Sequence, residues 1–514
     1  MLQRDKNGSA AGLRTPFARA CALPVWAAVL LLAGCAVGPD FKKPAAPKVD
    51  GYTAGALAAT TAATPAVAGG DAQHFSRGGD VAADWWTLFH SEQLNSLIAE
   101  ALKNNSDLKA ADAALRVARE NVLAQRGAYF PSLTANFSAT RQRAPLTLAP
   151  VPNYPAVPQE YQFNLFTPQV SVSYVPDVFG LNRRTVESLE AQKEGVRYQM
   201  AATYNTLVAN VVVTAVQLAS IDAQIEAVHA LVDDGNRALG ILQYQYDKGY
   251  ASGVDLAAQK AQLASVQAAL PPLIKQQAQL RDLMAVLVGR YPSQAPAAKF
   301  TLSDLTLPSN IPVSLPSTLV AQRPDILQAQ ANLHTASAQI GIAIANRLPN
   351  ITLTGVAGNS ALEFGKLFTP GTDFWNIGAD LAAPIFEGGT LLHQERAARA
   401  AYEQAAHQYR STVLTAFENV ADTLVALEQD AQALKAAANA DDAAKTARDM
   451  AEEQARDGYG SELQRLTAEQ AYQQAHIGLL QAQADRFDDT AALFQALGGG
   501  WWHSTELAGN ENGH

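Results

Sequence analysis

The chain has 514 residues, of which 48% are hydrophobic and 17% are charged, and its formal net charge is -10. The hydrophobic content excludes disorder over the whole chain, because disordered segments combine low hydrophobicity with high charge. A mean hydropathy of -0.06 excludes a protein built of many membrane-spanning helices. The acidic balance and the absence of a dense basic block in the sequence argue against nucleic acid as a partner.

The N-terminus resembles a bacterial export signal. Residues 20–33 form an uncharged, mainly apolar run behind a basic start, and this run is too short to span a bilayer. It ends in Leu-Ala-Gly-Cys35, which resembles the lipoprotein signal whose cysteine is acylated and becomes the new N-terminus. An ordinary secretory signal with a chance cysteine is the alternative. We predict a signal peptide over residues 1–34 and a covalent lipid on Cys35, and we expect no other cofactor.

Residues 35–80 are rich in Ala, Thr, Gly and Pro, a composition typical of an extended tether behind the lipid. Beyond this segment the chain repeats itself after about 210 residues, which indicates a duplicated module and not a solenoid of short repeats. Matched pairs include Asp107-Leu108 with Asp325-Ile326 and Gly249-Tyr250 with Gly458-Tyr459. The predicted divisions are a first repeat over 81–290, a linker over 291–324, a second repeat over 325–502 and a C-terminal tail over 503–514.

Each repeat has the same predicted order of elements: a helix, two strands, a very long helix, a Gly-centred turn and a shorter returning helix. The predicted helices are 107–129, 182–247, 254–288, 325–348, 391–456 and 462–497, and the predicted strands are 132–140, 165–175, 350–358 and 374–383. One long helix carries an apolar residue about every 3.6 positions, which indicates a single buried face on a nearly straight helix. This face comprises Ala398, Tyr402, Ala405, Tyr409, Val413, Ala416, Val420, Leu424, Leu427, Ala431 and Leu434.

Three further segments have a distinctive composition. Pro271 and Pro272 predict a kink in the first returning helix. Residues 198–221 carry no formal charge, but polar residues recur through them, so a buried helix is favoured over a membrane span. Residues 289–324 are rich in proline and show no helical period, so we expect irregular structure there.

The four predicted strands have two possible settings. Each is about 9–11 residues long, the length that a tilted strand needs to cross a membrane. Four strands are too few to close a barrel, because the smallest known barrels have eight. Either three chains share one barrel of twelve strands, or the strands form two soluble hairpins that pack on the helices. The residue pattern alone leaves both settings open.

The order of these segments resembles the TolC-like outer-membrane efflux proteins, specifically their lipidated NodT and OprM type. The resemblance extends from Cys35 to Trp502, and no single motif carries it alone. The matching motifs are Leu32-Ala33-Gly34-Cys35-Ala36-Val37-Gly38-Pro39, Trp85-Trp86-Thr87-Leu88-Phe89, Asn104-Asn105-Ser106-Asp107-Leu108, Arg323-Pro324-Asp325-Ile326, Leu348-Pro349-Asn350-Ile351-Thr352-Leu353, Pro384-Ile385-Phe386-Glu387-Gly388-Gly389 and Ala496-Leu497-Gly498-Gly499-Gly500-Trp501.

The resemblance implies an α+β membrane protein. Long α-helices of three identical chains would form a trimeric α-barrel, and four β-strands per chain would contribute to a shared 12-stranded outer-membrane β-barrel. An equatorial belt would be formed by 85–103, 289–324 and the C-terminus. The implied function is the exit duct of a tripartite efflux system, which works with a periplasmic adaptor and an inner-membrane pump, the pump being of the RND type. A periplasmic coiled-coil adaptor or a structural lipoprotein is the alternative.

The resemblance also assigns roles to the two Gly-centred turns. It implies that these turns are helix tips facing the adaptor, with a periplasmic gate just beyond them. The tip residues are Gly249, Tyr250, Ser252, Gly458, Tyr459 and Ser461. The candidate gate residues are Asp255, Gln464 and Thr467, the last two standing where relatives often carry aspartate. The alternative for Asp255 is a helix-start residue that favours the helix dipole.

Catalytic motifs do not occur in the sequence. The nine histidines form no His-Glu-x-x-His, and no Gly-x-Ser-x-Gly is present. A phosphate-binding loop at Gly365-Lys366 would need glycine at Ser360 and Ser or Thr at Leu367. We therefore expect neither an enzyme nor a metal site.

Overall fold

The computed structural model describes residues 36–55, 58–145 and 160–504. Within them the chain forms two compact units: one comprises 36–42, 119–191 and 334–404, and the other comprises 43–118, 192–333 and 405–504. The predicted signal peptide, Cys35 and residues 505–514 of the predicted tail lie outside the described residues.

Long helices dominate the described chain and strands are few. The helices are α1 (Glu92–Asn104), α2 (Ser106–Arg126), α3 (Leu181–Asp247), α4 (Gly253–Leu287), α5 (Pro316–Gln322), α6 (Pro324–Ala345), α7 (Thr390–Arg456) and α8 (Glu462–Ala496). The strands are β1 (His74–Arg77), β2 (Ser132–Pro145), β3 (Glu160–Tyr174), β4 (Asn310–Val313), β5 (Asn350–Asn359) and β6 (Asp373–Ala382). The six helices and four strands predicted from the sequence are confirmed, and the fold is of the α+β class.

Where the boundaries differ from prediction, the local chemistry gives the reason. β2 and β3 have 14 and 15 residues and are longer than predicted. Pro145 ends β2 opposite Glu160, and proline is tolerated there because β2 is an edge strand of the sheet. The segment expected to be irregular contains the helix α5, which has Pro316 at its first position, where the missing N–H costs nothing. α4 continues through Pro271 and Pro272 as one helix.

The buried face of α7 agrees with the predicted spacing. Nine of the eleven predicted residues are buried in this helix, and the two others, Ala398 and Tyr402, are half-buried. Among the described residues, α3 is the one helix long and apolar enough to cross a membrane, and 67% of its most apolar 18-residue stretch is buried inside the protein. This burial agrees with the prediction of a core helix over 198–221.

The core of the second unit gathers segments that are far apart in sequence. Trp85 stacks on Phe494 of α8 with ring centroids 5.0 Å apart, and Phe89 packs against Phe487. Buried residues of the linker, including Leu305 and Ile311, join the same cluster. Two of these segments, the one around Trp85 and the linker, belong to the equatorial belt that the resemblance implies.

The segment predicted as a tether has fixed contacts in the second unit. β1 pairs in parallel with β4. The Gln73 side-chain amide is fully buried and donates to the Pro308 carbonyl (3.3 Å) and the Thr490 hydroxyl (3.1 Å). The Tyr52 hydroxyl donates to the Ser314 carbonyl (2.9 Å). Composition does not reveal this docking, because backbone pairing and single polar contacts hold the segment in place.

Candidate functional site

Four strands of the first unit form one antiparallel sheet in the order β2-β3-β5-β6. The pairing of β2 with β3 runs without a bulge from Ser132 opposite Ser173 to Pro145 opposite Glu160. β5 pairs with β3 on one side and with β6 on the other. Because alternate side chains of a strand point to opposite faces, this register sorts the side chains of all four strands onto two faces.

One face of the sheet is apolar and the other is mainly polar. The apolar face includes Leu133, Ala135, Phe137, Val170, Val172, Ile351, Leu353, Trp375, Ile377 and Leu381. The opposite face includes Ser132, Thr134, Asn136, Gln169, Ser171, Ser173, Thr352, Thr354, Asn376 and Asp380, with Val356 and Phe374 among them. Ile377 is 80% exposed and Leu133 is 71% exposed. A contiguous exposed apolar surface of this kind marks contact with a membrane or a partner.

The sheet has two open edges within the described chain. β2 and β6 each pair with one neighbouring strand, so each presents a row of backbone groups on its free side. In a membrane such groups must find partners, which is why membrane sheets close into barrels. Four strands cannot close, because the smallest barrels have eight. A membrane setting for this sheet therefore requires strands from further chains.

The segment that directly follows Cys35 is docked in the same unit. The Val37 N–H donates to the Phe179 carbonyl (3.1 Å), five residues beyond the end of β3. The buried Arg184 donates to the carbonyls of Val37 (3.0 Å) and Gly38 (3.2 Å). It also forms an ion pair with Asp40 (2.9 Å). Residue 36 is therefore held beside the end of the strands that joins the long helix α3.

The first Gly-centred turn is a Schellman motif. Gly249 has φ +80° and its N–H donates to the Tyr246 carbonyl (2.9 Å), while the Tyr250 N–H donates to the Gln245 carbonyl (2.8 Å). Ser252 then begins α4 with a capping box: its hydroxyl accepts from the Asp255 N–H (3.1 Å), and the Asp255 carboxylate accepts from the Ser252 N–H (3.3 Å).

The second turn has the same construction. Gly458 has φ +80° and donates to the Ala455 carbonyl (3.3 Å), and the Tyr459 N–H donates to the Gln454 carbonyl (2.9 Å). Ser461 caps α8 by accepting from the Gln464 N–H (3.2 Å), and the Gln464 amide oxygen accepts from the Ser461 N–H (3.1 Å). The duplication seen in the sequence therefore extends to individual hydrogen bonds.

Both turns present large exposed side chains and no steric obstacle at the glycine. Tyr250 is 83% exposed and Tyr459 is 89% exposed. A Cβ atom added at Gly249 or Gly458 would meet no atom within 4 Å. The requirement for glycine thus comes from the backbone, because a positive φ disfavours residues that carry a Cβ. These features suit a surface that another protein contacts.

The three candidate gate residues are exposed in the single chain. Asp255 and Gln464 occupy equivalent positions in the two capping boxes, and the Thr467 hydroxyl donates to the Leu463 carbonyl (2.8 Å). The helix-start alternative for Asp255 is therefore present as geometry. It does not exclude a pore-facing role, since the carboxylate remains accessible while it caps the helix.

A buried polar cluster in the second unit escaped the sequence analysis. Arg486 is fully buried in α8 and donates to the carbonyls of Leu427 (2.9 Å) and Asp71 (3.1 Å). Burial raises the pKa of Asp488 to about 7, although a hydrogen bond that the Gln217 amide donates to this carboxylate lowers the pKa in part. Burial, with Asp489 nearby, raises the pKa of Asp430 on α7 to about 7. The signal in the sequence is an arginine on the buried face of α8, where Gln483 and Phe487 are also buried.

The Arg323-Pro324-Asp325-Ile326 motif holds three helices together within the second unit through the side chain of Arg323. The guanidinium of Arg323 donates to both carboxylate oxygens of Asp325 (3.0 and 2.7 Å). It also donates to the carbonyls of Ala496 (2.8 Å) and Ala416 (3.2 Å). The Arg-Pro-Asp-Ile motif therefore ties the start of α6 to α7 and to the end of α8. Within the described ranges, no group of three or more His, Cys, Asp or Glu side chains is placed to hold a metal ion.

Comparisons with known proteins agree with this geometry. The family model for outer membrane efflux proteins matches residues 97–290 and 315–499. The pyoverdine export outer membrane protein OpmQ of Pseudomonas putida is 28% identical over 417 residues, covering 81% of this chain and 88% of that protein. The solvent efflux pump outer membrane protein SrpC of Pseudomonas putida is 28% identical over 486 residues, covering 93% of this chain and 98% of that protein. The CmeC outer membrane channel of Campylobacter jejuni shares the fold, with a TM-score of 0.81 at 22% identity over 93% of this chain and 98% of CmeC.

Proposed function

This chain belongs to the outer membrane efflux protein family, and we propose that three copies of it assemble into the exit duct of a tripartite efflux system. The protein is an efflux channel of the outer membrane that extends into the periplasm. The adaptor or structural lipoprotein alternative is not favoured, because the family and the relatives are channels. The duct acts passively, without a catalytic step, on substrates that an inner-membrane pump expels.

The two-faced sheet with open edges is the observation that carries the proposal. The apolar face meets lipid, and the polar face lines a water-filled channel. The free edge of β6 in one copy pairs with the free edge of β2 in the next, and both edges are thereby satisfied. Three copies supply twelve strands, an even number within the range of outer-membrane barrels.

The lipid anchor is a second part of the proposal. Acylated Cys35 precedes a segment whose residue 36 is held beside Phe179, close to the end of β3. A lipid at this place enters the periplasmic leaflet next to the barrel wall. Cys35→Ser should abolish both acylation and cleavage after Gly34, and mass spectrometry of the mature N-terminus measures both. An unmodified wild-type chain that starts elsewhere would contradict the lipid anchor.

The partners follow from the turns and from the relatives. Tips built on Gly249, Tyr250, Ser252, Gly458, Tyr459 and Ser461 contact a periplasmic adaptor, and Asp255, Gln464 and Thr467 line the gate behind them. The relative SrpC is named as part of a solvent efflux pump. We assign an adaptor and an RND-type inner-membrane pump to this chain by analogy with such systems.

Two neighbouring positions of β5 test the membrane setting. Thr354 lies on the polar face and Leu353 on the apolar face, and both are in the middle of the strand. In cells, Thr354→Cys should react with a water-soluble maleimide, whereas Leu353→Cys should be protected by lipid. No other thiol should react with the maleimide, because the sequence has two cysteines, of which Cys21 leaves with the signal peptide and Cys35 is acylated.

The outcome is read together with the oligomeric state. Native mass spectrometry in mild detergent should show a trimer for both variants. A stable folded monomer would refute the shared barrel. Equal labelling in a protein that is trimeric would leave the assembly standing and reject the assignment of the two faces.

A further inference from the structure

We propose that Arg141 and Arg143 form a binding site for the phosphate groups of the glycolipid in the outer leaflet of the outer membrane. The inference rests on the proposed barrel, because the apolar face of the sheet meets lipid only in that assembly. The barrel then carries three such sites, one on each chain.

The register places both arginines on the face that meets lipid. β2 pairs with β3 without a bulge along its whole length. Positions 133, 135, 137 and 139 of β2 belong to the apolar face, so positions 141 and 143 continue that face. Both arginines are exposed. The lipid-facing side of the strand therefore changes from apolar to cationic within one two-residue step.

The height of this change matches the thickness of the membrane. Ser132 begins β2 at the end of the sheet that adjoins the helices, and Arg141 follows nine residues later. At about 3.4 Å per residue this is about 31 Å along the strand. A tilt of about 40° reduces it to a height of about 23 Å, close to the apolar band of roughly 25 Å in outer-membrane barrels. Arg141 thus lies where acyl chains give way to headgroups.

Aromatic side chains mark the same boundary. The Phe364 ring makes edge contacts with the rings of Phe137 (6.4 Å) and Phe166 (5.7 Å). Phe166 lies opposite Ala139, one step below Arg141 on the same face. Aromatic residues collect at the level of the headgroups in membrane barrels. Two independent features, the first arginine on the apolar face and the aromatic cluster beside it, therefore place the boundary between acyl chains and headgroups at the same height.

The chemistry of the site favours phosphate. The residues directly opposite Arg141 and Arg143 are Asn164 and Gln162, whose exposed amides add hydrogen-bond donors. The one acidic position on this face of β3 is Glu160, at the end of the strand opposite Pro145. Arginine binds phosphate in a bidentate geometry, which adds specificity to the attraction of charge. Lipid A, the glycolipid of this leaflet, carries phosphates at the level of its headgroup. The two arginines stand two residues, about 7 Å, apart along one face of the strand, so both can reach one headgroup.

The test is lipid binding to the intact trimer. The double variant Arg141→Gln with Arg143→Gln should bind phosphorylated lipid A about 30-fold more weakly in native mass spectrometry, about fivefold for each arginine, which corresponds to about 1 kcal/mol each. Wild-type protein should bind dephosphorylated lipid A as weakly as the double variant binds the phosphorylated form. Inorganic phosphate should not displace the lipid, because the acyl chains contribute to binding.

Two controls separate charge and face. Arg396→Gln with Arg410→Gln removes the same charge from exposed positions of α7 and should leave binding unchanged. Arg141→Gln with Gln142→Arg keeps the charge but moves it to the channel face, and should bind as weakly as Arg141→Gln alone. Unchanged binding in the double variant, restored binding in the transferred-charge variant, or equal affinity for inorganic phosphate alone would overturn the site. Loss of the trimer before lipid is added would instead show that the proposed barrel itself fails.

Discussion

Substitution of Gly458 separates the strain of the turn from the role of its surface. The backbone there has φ +80°, and no atom lies within 4 Å of an added Cβ. The whole cost of Gly458→Ala therefore comes from the left-handed conformation, about 1–2 kcal/mol. This shifts the local equilibrium toward the open turn by about 5- to 30-fold. Gly458→Asn should cost less, because asparagine tolerates this region.

The consequences should stay local to the turn. The buried residues of α7 extend from Ala405 to Leu434, so the core lies at least twenty residues from the substitution. Trimer assembly and global stability should be unchanged. Hydrogen exchange of the Tyr459 amide, which donates to the Gln454 carbonyl, should quicken by the factor given above.

Function is read by substrate export and by adaptor crosslinking at the turn, in cells that carry the matching pump. Gly458→Glu should impair both, since it adds a charge and bulk to the strain, whereas Gly458→Asn should retain most of both. If Gly458→Glu left export and crosslinking unchanged, the assignment of this turn as an adaptor-facing tip would be wrong. If Gly458→Asn were as harmful as Gly458→Glu, the backbone argument would fail and side-chain size would govern.

Three further predictions follow from the polar contacts. Arg323→Ala should destabilise the fold by about 3 kcal/mol in chemical unfolding, because the carbonyls of Ala416 and Ala496 lose their donor, and Arg323→Lys should not recover the bidentate pair. Burial raises the pKa of Asp488 from 3.8 to about 7, so between these pH values the folded state holds a proton that the unfolded state has lost, and stability should fall as pH rises. In Asp488→Asn, the melting temperature should depend less on pH over this range. An unchanged pH dependence of the melting temperature would contradict the assignment. Asp255→Asn should lower the preference of the channel for cations in planar bilayers, and the effect should shrink with added salt because an exposed charge is screened over about 10 Å at 0.1 M. Gln464→Ala should raise the conductance of the closed state. If both variants behaved like the wild type, these residues would lie away from the constriction.

The sequence predicts the elements well because periodicity and glycine placement are local signals. The eleven apolar positions on α7 could be assigned from their spacing alone, and nine are buried. Gly249 and Gly458 could be identified as turns because a reversal at positive φ needs glycine. The longer extent of β2 and β3 could not be predicted, since polar residues such as Gln142 carry no strand signal.

The contacts that join distant segments could not be predicted in this way. Arg486 binds carbonyls near residues 70 and 427, and no local pattern encodes which backbone oxygens a buried guanidinium will meet. The two faces of the sheet were only partly visible in the sequence. They became clear once the register aligned Leu353 with Tyr174 on one side and Ala379 on the other, because single strands with Ser, Thr and Val alternate weakly.

The two helix tips differ in charge but not in construction, and this difference bears on the gate. Asp255 and Gln464 make the same pair of backbone contacts with their capping serines, so either residue satisfies the helix start. The cap therefore does not explain why one position carries a charge and the other does not. If Asp255 faces the pore as proposed, three copies in a trimer would place three carboxylates there. An Asp255→Gln variant, which copies the second tip, isolates that charge while it keeps the cap; unchanged ion selectivity in this variant would confine Asp255 to capping.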